Sequence, residues 1–302
     1  MASRKEQKEQ AREQRLEQER ATQAASARRQ RMLTFGGIIA AAAVVIVVIV
    51  IISTSGGNKK ASTDPQSKVN EANANRVSTL LAGINQTPGT AIELGDPNAK
   101  VTITEFGDFE CSVCDDFDLA SGTTSPDPSS TGTGILDAVI KHDVATGKAK
   151  LIFKSLETAS GNLSPQMWVA QQSAANAAAL QGKGWDYVEL FYAEQGREQS
   201  NYVTKAFLEG IARQVKGLNY AQWYKDWTTN KSLSSVVSSD GTEGLQLDST
   251  IETEQGQPAA DRGPSTPTIL VKGSGGVSDF IGIQYAIPQE IAKIEAAVNT
   301  AS

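Results

Sequence analysis

The two cysteines of this chain, Cys111 and Cys114, lie three positions apart and are the only ones it contains. They follow a short apolar, β-branched run over residues 101–106, after a connector of four residues. This pattern predicts a strand that leads into the first turn of a helix. A helix N-terminus lowers the pKa of a thiol placed there, and the second cysteine lies one turn further on, close enough to close a disulfide. The spacing therefore favours thiol–disulfide redox chemistry.

Two other interpretations of the cysteine pair are weaker. A purely structural disulfide across so short a loop would contribute only about 2 kcal/mol, before any strain is subtracted. A zinc or copper site needs three or four ligands, and the chain offers two thiols and a single histidine, His142, far along the sequence. The sequence predicts neither a metal site nor a cofactor.

An uncharged apolar run of 20 residues, 33–52, is long enough to cross a bilayer core as a helix. Residues 1–32 before it carry nine Lys or Arg and five Glu, whereas the near flank beyond it offers few basic residues. The positive-inside rule then predicts a cytoplasmic charged segment, one transmembrane helix and an extracytoplasmic remainder in the cell membrane. A cleaved signal peptide is the alternative, although its apolar region is usually shorter.

The rest of the chain is acidic. Residues 33–302 carry 19 basic and 29 acidic side chains. That balance argues against nucleic acid or an anionic membrane surface as a partner. Residues 53–89 are predicted to form a linker, because their first part is rich in Ser, Gly, Asn and Lys. A single domain is predicted to follow over residues 90–302.

The elements predicted for this domain alternate between strands and helices. They are a strand at 101–106, a helix from Cys111, a loop at 120–134, a helix at 135–145, a strand at 150–156, a helical block over about 160–230, a strand at 267–272 with an antiparallel partner at 279–283, and a final helix from Pro288. Residues 229–264 are polar and weakly patterned.

Glu105 occupies an unusual position in the first of these strands. Strict alternation places it on the same face as Val101 and Ile103, six residues before Cys111. Its carboxylate either reaches solvent at the strand end or is buried, with a raised pKa, where it could exchange a proton with Cys114.

Four carboxylates lie close to the cysteine pair in sequence: Asp108, Glu110, Asp115 and Asp116. Negative charge disfavours a thiolate, so they are expected to raise the thiol pKa and to weaken the oxidising power of a Cys111–Cys114 disulfide. They are also expected to favour basic substrates.

The order of elements resembles the thioredoxin fold, and more narrowly the membrane-anchored, DsbA-like thiol–disulfide oxidoreductases of bacteria. The stretches that carry the resemblance are Gly95-Asp96-Pro97, the run from Val101 to Cys114, Trp185-Asp186-Tyr187, and Ser265-Thr266-Pro267-Thr268. It implies an α/β thioredoxin fold with a helical insertion over about 160–230, preceded by one N-terminal transmembrane helix.

The resemblance also assigns roles. It implies that Cys111 is the exposed nucleophile and Cys114 its buried partner, and that Glu105 is a buried acid that handles protons. Pro267 falls where the family has a cis-proline facing the disulfide, so that the Thr266 backbone could pair with an extended substrate segment. The sequence departs from the family at Ser112-Val113, where strong oxidases often have Pro-His, and in two longer polar loops.

The function implied is oxidation of cysteine pairs in exported proteins. Re-oxidation would then come from a quinone-linked membrane oxidase, either DsbB-like or vitamin K epoxide reductase-like. A disulfide reductase or isomerase is the alternative with the same chemistry. A membrane-tethered module that binds client proteins without turnover is the alternative from a different class.

Overall fold

The fold is described from a computed structural model, which covers residues 71–121, 126, 132–159, 165–198, 200–248, 265–275, 278–282 and 289–302. The predicted cytoplasmic segment, the transmembrane helix at 33–52 and the first part of the linker lie outside these ranges. Within them, none of the helices combines the length and the apolar character that crossing a bilayer requires.

A five-stranded mixed sheet forms the centre of the fold. Its strands are β1 (Ile92–Leu94), β2 (Val101–Gly107), β3 (Ala149–Ser155), β4 (Thr268–Gly273) and β5 (Ser278–Gly282). The spatial order is β1-β3-β2-β4-β5, with β2 parallel to β3 and the other pairs antiparallel. Strand β2 is therefore central, which explains why six of its seven residues are buried.

Helices lie before, between and after the strands. They are α1 (Glu71–Leu80), α2 (Ser112–Asp118), α3 (Ile135–Val139) continued by a π-helical turn (Ile140–Val144), α4 (Pro165–Ala179), α5 (Gly184–Ala193), α6 (Lys205–Gln214), α7 (Tyr220–Thr229), α8 (Lys231–Asp248) and α9 (Glu290–Ala301). Helices α4 to α8 all lie between β3 and β4 in the chain, where the helical insertion is predicted.

The insertion is longer than predicted, because α8 carries it to Asp248 instead of ending near residue 230. The sequence of α8 is mostly polar, so it contains too few apolar residues for their spacing to predict a helix. Its buried anchors are Leu233 and Val237, spaced by four residues on one face. Serine and threonine side chains along it bond back to carbonyls one turn earlier, such as Ser238 Oγ to the Ser234 carbonyl at 3.0 Å.

An aromatic cluster joins the sheet to the insertion beside the cysteine pair. The Phe109 ring stacks on Phe191 of α5, with ring centroids 4.4 Å apart, and on Phe153 of β3 at 5.3 Å. Trp185 meets Phe153 edge-on at 6.1 Å. All four side chains are buried. The connector before Cys111 is therefore held by apolar packing from both the sheet and the insertion.

Helix α6 begins with a side-chain cap whose loss is expected to destabilise the insertion. The Thr204 hydroxyl accepts a hydrogen bond from the Phe207 amide at 3.1 Å. We expect Thr204→Ala to lower the free energy of unfolding by about 1 kcal/mol, measured by urea denaturation. Thr229→Ala, at the exposed end of α7, is the control and should change it by less than about 0.5 kcal/mol. Equal losses in both variants would contradict a capping role for Thr204.

Candidate active site

Asp108 organises the turn that connects β2 to α2. Its backbone carbonyl accepts the Cys111 amide at 3.0 Å, and its Oδ1 accepts the Glu110 amide at 3.1 Å. Its Oδ2 accepts the Thr158 amide, from the loop after β3, at 2.8 Å. A buried aspartate that bonds the backbone two residues on is a usual way to fix a tight turn. Asp108 thereby sets the position of Cys111 at the start of α2.

Cys111 and Cys114 are unlike one another in exposure. Both are free thiols, and Cys111 occupies the N-cap of α2 with extended backbone angles. Cys111 is 8% exposed, whereas Cys114 has no exposed surface. Cys111 is therefore more buried than the resemblance implies, but of the two cysteines it is the one with surface open to solvent.

The two thiols also differ in acidity. The pKa of Cys111 is lowered, first by a hydrogen bond from the Cys114 thiol and then by the Thr266 side chain, which together outweigh burial. The pKa of Cys114 is raised well above its usual value, mainly by burial and further by the Cys111 and Glu105 charges. Cys111 is thus the sulfur that ionises first, and Cys114 is the one that must keep or receive a proton.

Nearby carboxylates are expected to raise the pKa of Cys111, but other groups outweigh them and its net shift is downward. Asp108 does act in that direction, but as the smallest of the named influences on this thiol. Its carboxylate oxygens are occupied by backbone amides, which disperse its charge. The hydrogen bond from the Cys114 thiol has the largest influence on this pKa, and the net shift is downward.

Thr266 lies directly beside Cys111, and Pro267 follows it in the chain. The Cys111 thiol donates to the Thr266 carbonyl oxygen at 3.4 Å, and the Thr266–Pro267 peptide bond is cis. The Thr266 hydroxyl lies 2.7 Å from that of Thr158, on the loop that Asp108 also holds. The structure brings these residues together with the cysteine pair, and their role in substrate binding stays a prediction.

Glu105 is fully buried in the middle of the sheet, so the interpretation in which its carboxylate reaches solvent is wrong. Burial raises its pKa to about 8, and the negative charge of Glu189 adds to that rise. Its charge in turn raises the pKa of Cys114. A carboxyl with this pKa holds its proton at neutral pH and can pass it to a neighbouring group. The role of Glu105 in handling protons stays a prediction.

Two further buried acids that the sequence interpretation missed lie near Glu105. Asp118 follows Cys114 by four residues on α2, and burial together with the Glu105 charge raises its pKa well above the usual value. Among the described residues, the side-chain oxygens of Glu105 and Asp118 have no hydrogen-bond partner within the usual distance. The two carboxyls nevertheless interact, which lowers the pKa of Glu105 and raises that of Asp118. Glu189 of α5 accepts a hydrogen bond from Arg76 of α1 at 3.4 Å.

The site therefore has an outer and an inner part. The outer part holds the accessible Cys111 against the Thr266 carbonyl, and the inner part holds Cys114 near protonatable carboxyls. Among the described residues, no group of three or more His, Cys, Asp or Glu is arranged to hold a metal ion. The arrangement suits an exchange reaction in which one sulfur is attacked and the other is protonated as it leaves.

The sequence of this chain is similar to those of known proteins. A family model described as thioredoxin matches residues 86–276, which include both cysteines and the Thr266–Pro267 pair. A probable disulfide bond formation protein D of Bacillus cereus is 23% identical over 212 residues, covering 68% of this chain and 80% of the relative. A Bacillus anthracis protein of the same name is 22% identical over the same length, with the same coverage.

Two solved structures are also similar to this chain. Oxidised BdbD of Bacillus subtilis is 17% identical, with a TM-score of 0.49, over 72% of this chain and 98% of that one. DsbA of Chlamydia trachomatis is 17% identical, with a TM-score of 0.48, over 69% and 91% of the two chains.

Proposed function

This chain belongs to the thioredoxin family, and from that membership we propose that it is a DsbA-like thiol–disulfide oxidoreductase that oxidises cysteine pairs. The predicted α/β thioredoxin fold is confirmed by the family match and the mixed sheet with its helices. The observation that carries the proposal is the contrast between the two sulfurs: an accessible Cys111 with a lowered pKa and a buried Cys114 with a raised one.

The reaction begins when a substrate thiolate attacks the Cys111 sulfur of the Cys111–Cys114 disulfide. The new sulfur–sulfur bond joins substrate to Cys111, and Cys114 leaves with the electron pair. Because the pKa of Cys114 is high, its sulfur takes up a proton, for which the protonated Glu105 carboxyl is the nearby source.

A second substrate thiolate then attacks the substrate sulfur of the mixed disulfide. This step releases the substrate as a disulfide, and Cys111 leaves as a thiolate. The hydrogen bonds from Cys114 and Thr266 stabilise that thiolate, so Cys111 is a good leaving group. Two electrons pass from the two substrate thiols to the protein, which ends as the dithiol.

The cellular setting is part of the proposal. The apolar run at 33–52 and the basic segment before it support a retained anchor with the thioredoxin domain outside the cytoplasm. The substrates would be exported proteins with paired cysteines, consistent with the disulfide bond formation named for the two Bacillus relatives. A quinone-linked membrane oxidase, DsbB-like or vitamin K epoxide reductase-like, would restore the disulfide.

The reduction potential of the full chain tests the direction of the reaction. A stabilised Cys111 thiolate favours the reduced protein and therefore raises the potential. On equilibration with glutathione we expect a value of about −120 to −180 mV, the range of oxidants and isomerases. A value near about −270 mV would indicate a reductase instead. A disulfide that glutathione does not reduce would reject the catalytic function.

A further inference from the structure

Among the described residues, three side chains of the helical insertion form hydrogen bonds with the residues around Cys111. The Tyr192 hydroxyl donates to the Asp108 carbonyl at 3.3 Å, and the Tyr202 hydroxyl donates to the Phe109 carbonyl at 3.4 Å. The third contact is made by Glu198, on the loop between α5 and α6. The insertion thus holds the connector before Cys111 and the first residue after it.

The Glu198 contact differs from the other two because it brings a charge. Its Oε2 accepts hydrogen bonds from the Ser112 hydroxyl at 3.0 Å and from the Ser112 amide at 3.4 Å. Ser112 is the first residue of α2 and the neighbour of Cys111. The amides at this end of a helix are among the groups that stabilise a thiolate at the N-cap, and Glu198 engages one of them with a negative charge.

The influence of Glu198 extends to the residue on the other side of Cys111. Burial raises the pKa of Glu110 to about 7, and the charges of Asp108 and Glu198 contribute to that rise. The Glu198 carboxylate therefore acts on both chain neighbours of Cys111, by hydrogen bonding on Ser112 and by charge on Glu110.

We propose that Glu198 is a positioning residue that holds the start of α2 to the insertion and limits the oxidising strength of the Cys111–Cys114 disulfide. A negative charge beside the Cys111 thiolate disfavours the reduced state, which lowers the reduction potential. This inference rests on the proposed redox function of the cysteine pair. Through Glu198 the insertion would influence the redox chemistry directly, although Glu198 lies 86 residues after Ser112 in the chain.

Glu198→Gln in the full chain tests the proposal. Glutamine keeps an oxygen that can accept both hydrogen bonds from Ser112, so the variant removes the charge and leaves the structural contact. We expect the acid dissociation constant of the Cys111 thiol to rise about 2- to 5-fold, measured from the pH dependence of its alkylation. In a glutathione titration the variant disulfide should be reduced more readily, by a similar factor in the equilibrium constant.

Glu157→Gln is the matched control. Glu157 is half-buried on the loop after β3 and interacts with Asp108, so its removal takes one charge from the same end of the sheet without touching the Ser112 contact. We expect its effect to be less than half that of Glu198→Gln. Glu198→Ala, which removes the acceptor as well, should shift the Cys111 pKa downward at least as far as the glutamine variant.

Three results distinguish the role of Glu198 from the proposed function. An unchanged or raised Cys111 pKa in Glu198→Gln, or equal shifts in Glu198→Gln and Glu157→Gln, would overturn the role of Glu198. Because alkylation reports on the thiol without any exchange reaction, that conclusion holds whatever the glutathione titration gives. A wild-type disulfide that glutathione cannot reduce would reject the proposed function and leave the alkylation result to be judged by itself.

Discussion

Cys111→Ser is expected to abolish disulfide exchange, with the rate falling on the order of 10³-fold or more, as when a nucleophile is removed from other enzymes. Cys111 presents the only reachable sulfur of the pair, because Cys114 has no exposed surface. A serine hydroxyl can still donate to the Thr266 carbonyl, so the fold should be retained. The measurement is oxidation of a peptide with two cysteines by the pre-oxidised wild type and by the variant.

Cys114→Ser is the matched variant, and it should behave differently. It keeps Cys111, so incubation with an oxidised substrate should trap a mixed disulfide that Cys114 is no longer present to resolve. Exchange that survives in Cys111→Ser would refute the role of Cys111. If both Cys111→Ser and the wild type bind client proteins equally and neither exchanges disulfides, the chain would be a tethered binding module instead.

Glu105→Gln is expected to stabilise the reduced protein at alkaline pH. The pKa of Glu105 is about 8 in the fold against 4.5 for an ordinary glutamate, so the unfolded chain loses this proton far earlier. The folded state is therefore penalised increasingly as pH rises from 4.5 towards about 8, and the penalty is complete above that value. Glutamine carries no proton to lose, so the gain in unfolding free energy should be on the order of 3 kcal/mol above about pH 8 and small near about pH 4.

Urea denaturation of the reduced full chain at several pH values measures this effect. Glu93→Gln, at a half-buried position on β1, is the control and should change the unfolding free energy by less than about 0.5 kcal/mol. Glu105→Gln should also slow exchange on the order of 10²-fold, because Cys114 loses a proton donor. A stability profile with the wild-type dependence on pH would show that Glu105 is ionised in the fold.

Several elements could be predicted from sequence because their signals are local. The strand predicted at 101–106 is observed as Val101–Gly107, because its run of β-branched residues is a strong local signal for a strand. Helix α6 lies within the helical block predicted over about 160–230, and it begins directly after Thr204, a strong capping residue. Strand β4 begins one residue after the position predicted from Pro267.

Other elements could not be predicted because tertiary contacts produce them. Strand β1 is only three residues long and exists through its pairing with β3. Helix α8 depends on burial of two apolar residues in a polar sequence. Neither propensity nor periodicity within such segments reveals a partner that comes from elsewhere in the chain.

The residues of the candidate site also divide into those with a local sequence signal and those placed by tertiary contacts. Cys111, Cys114 and Glu105 stand out within one stretch of sequence, so they could be named without a structure. Asp118 carried a usable signal, since it lies one helical turn after Cys114, but an acid there is equally compatible with a solvated face. Glu198 comes from the insertion, and nothing near it in sequence points to Ser112.

Cys111 and Thr266 are 155 residues apart in the chain. Cys111 follows the central strand β2, and Thr266 precedes β4, which pairs with β2. During synthesis at about 5 to 20 residues per second, Thr266 emerges roughly 8 to 30 s after Cys111. For that interval the dithiol belongs to a chain whose sheet still lacks β4 and whose reactive sulfur has no carbonyl beside it. Formation of the β4–β5 hairpin is therefore also the step that places the Thr266 carbonyl beside Cys111, so the reactive thiol acquires its final surroundings only after the rest of the sheet has been synthesised.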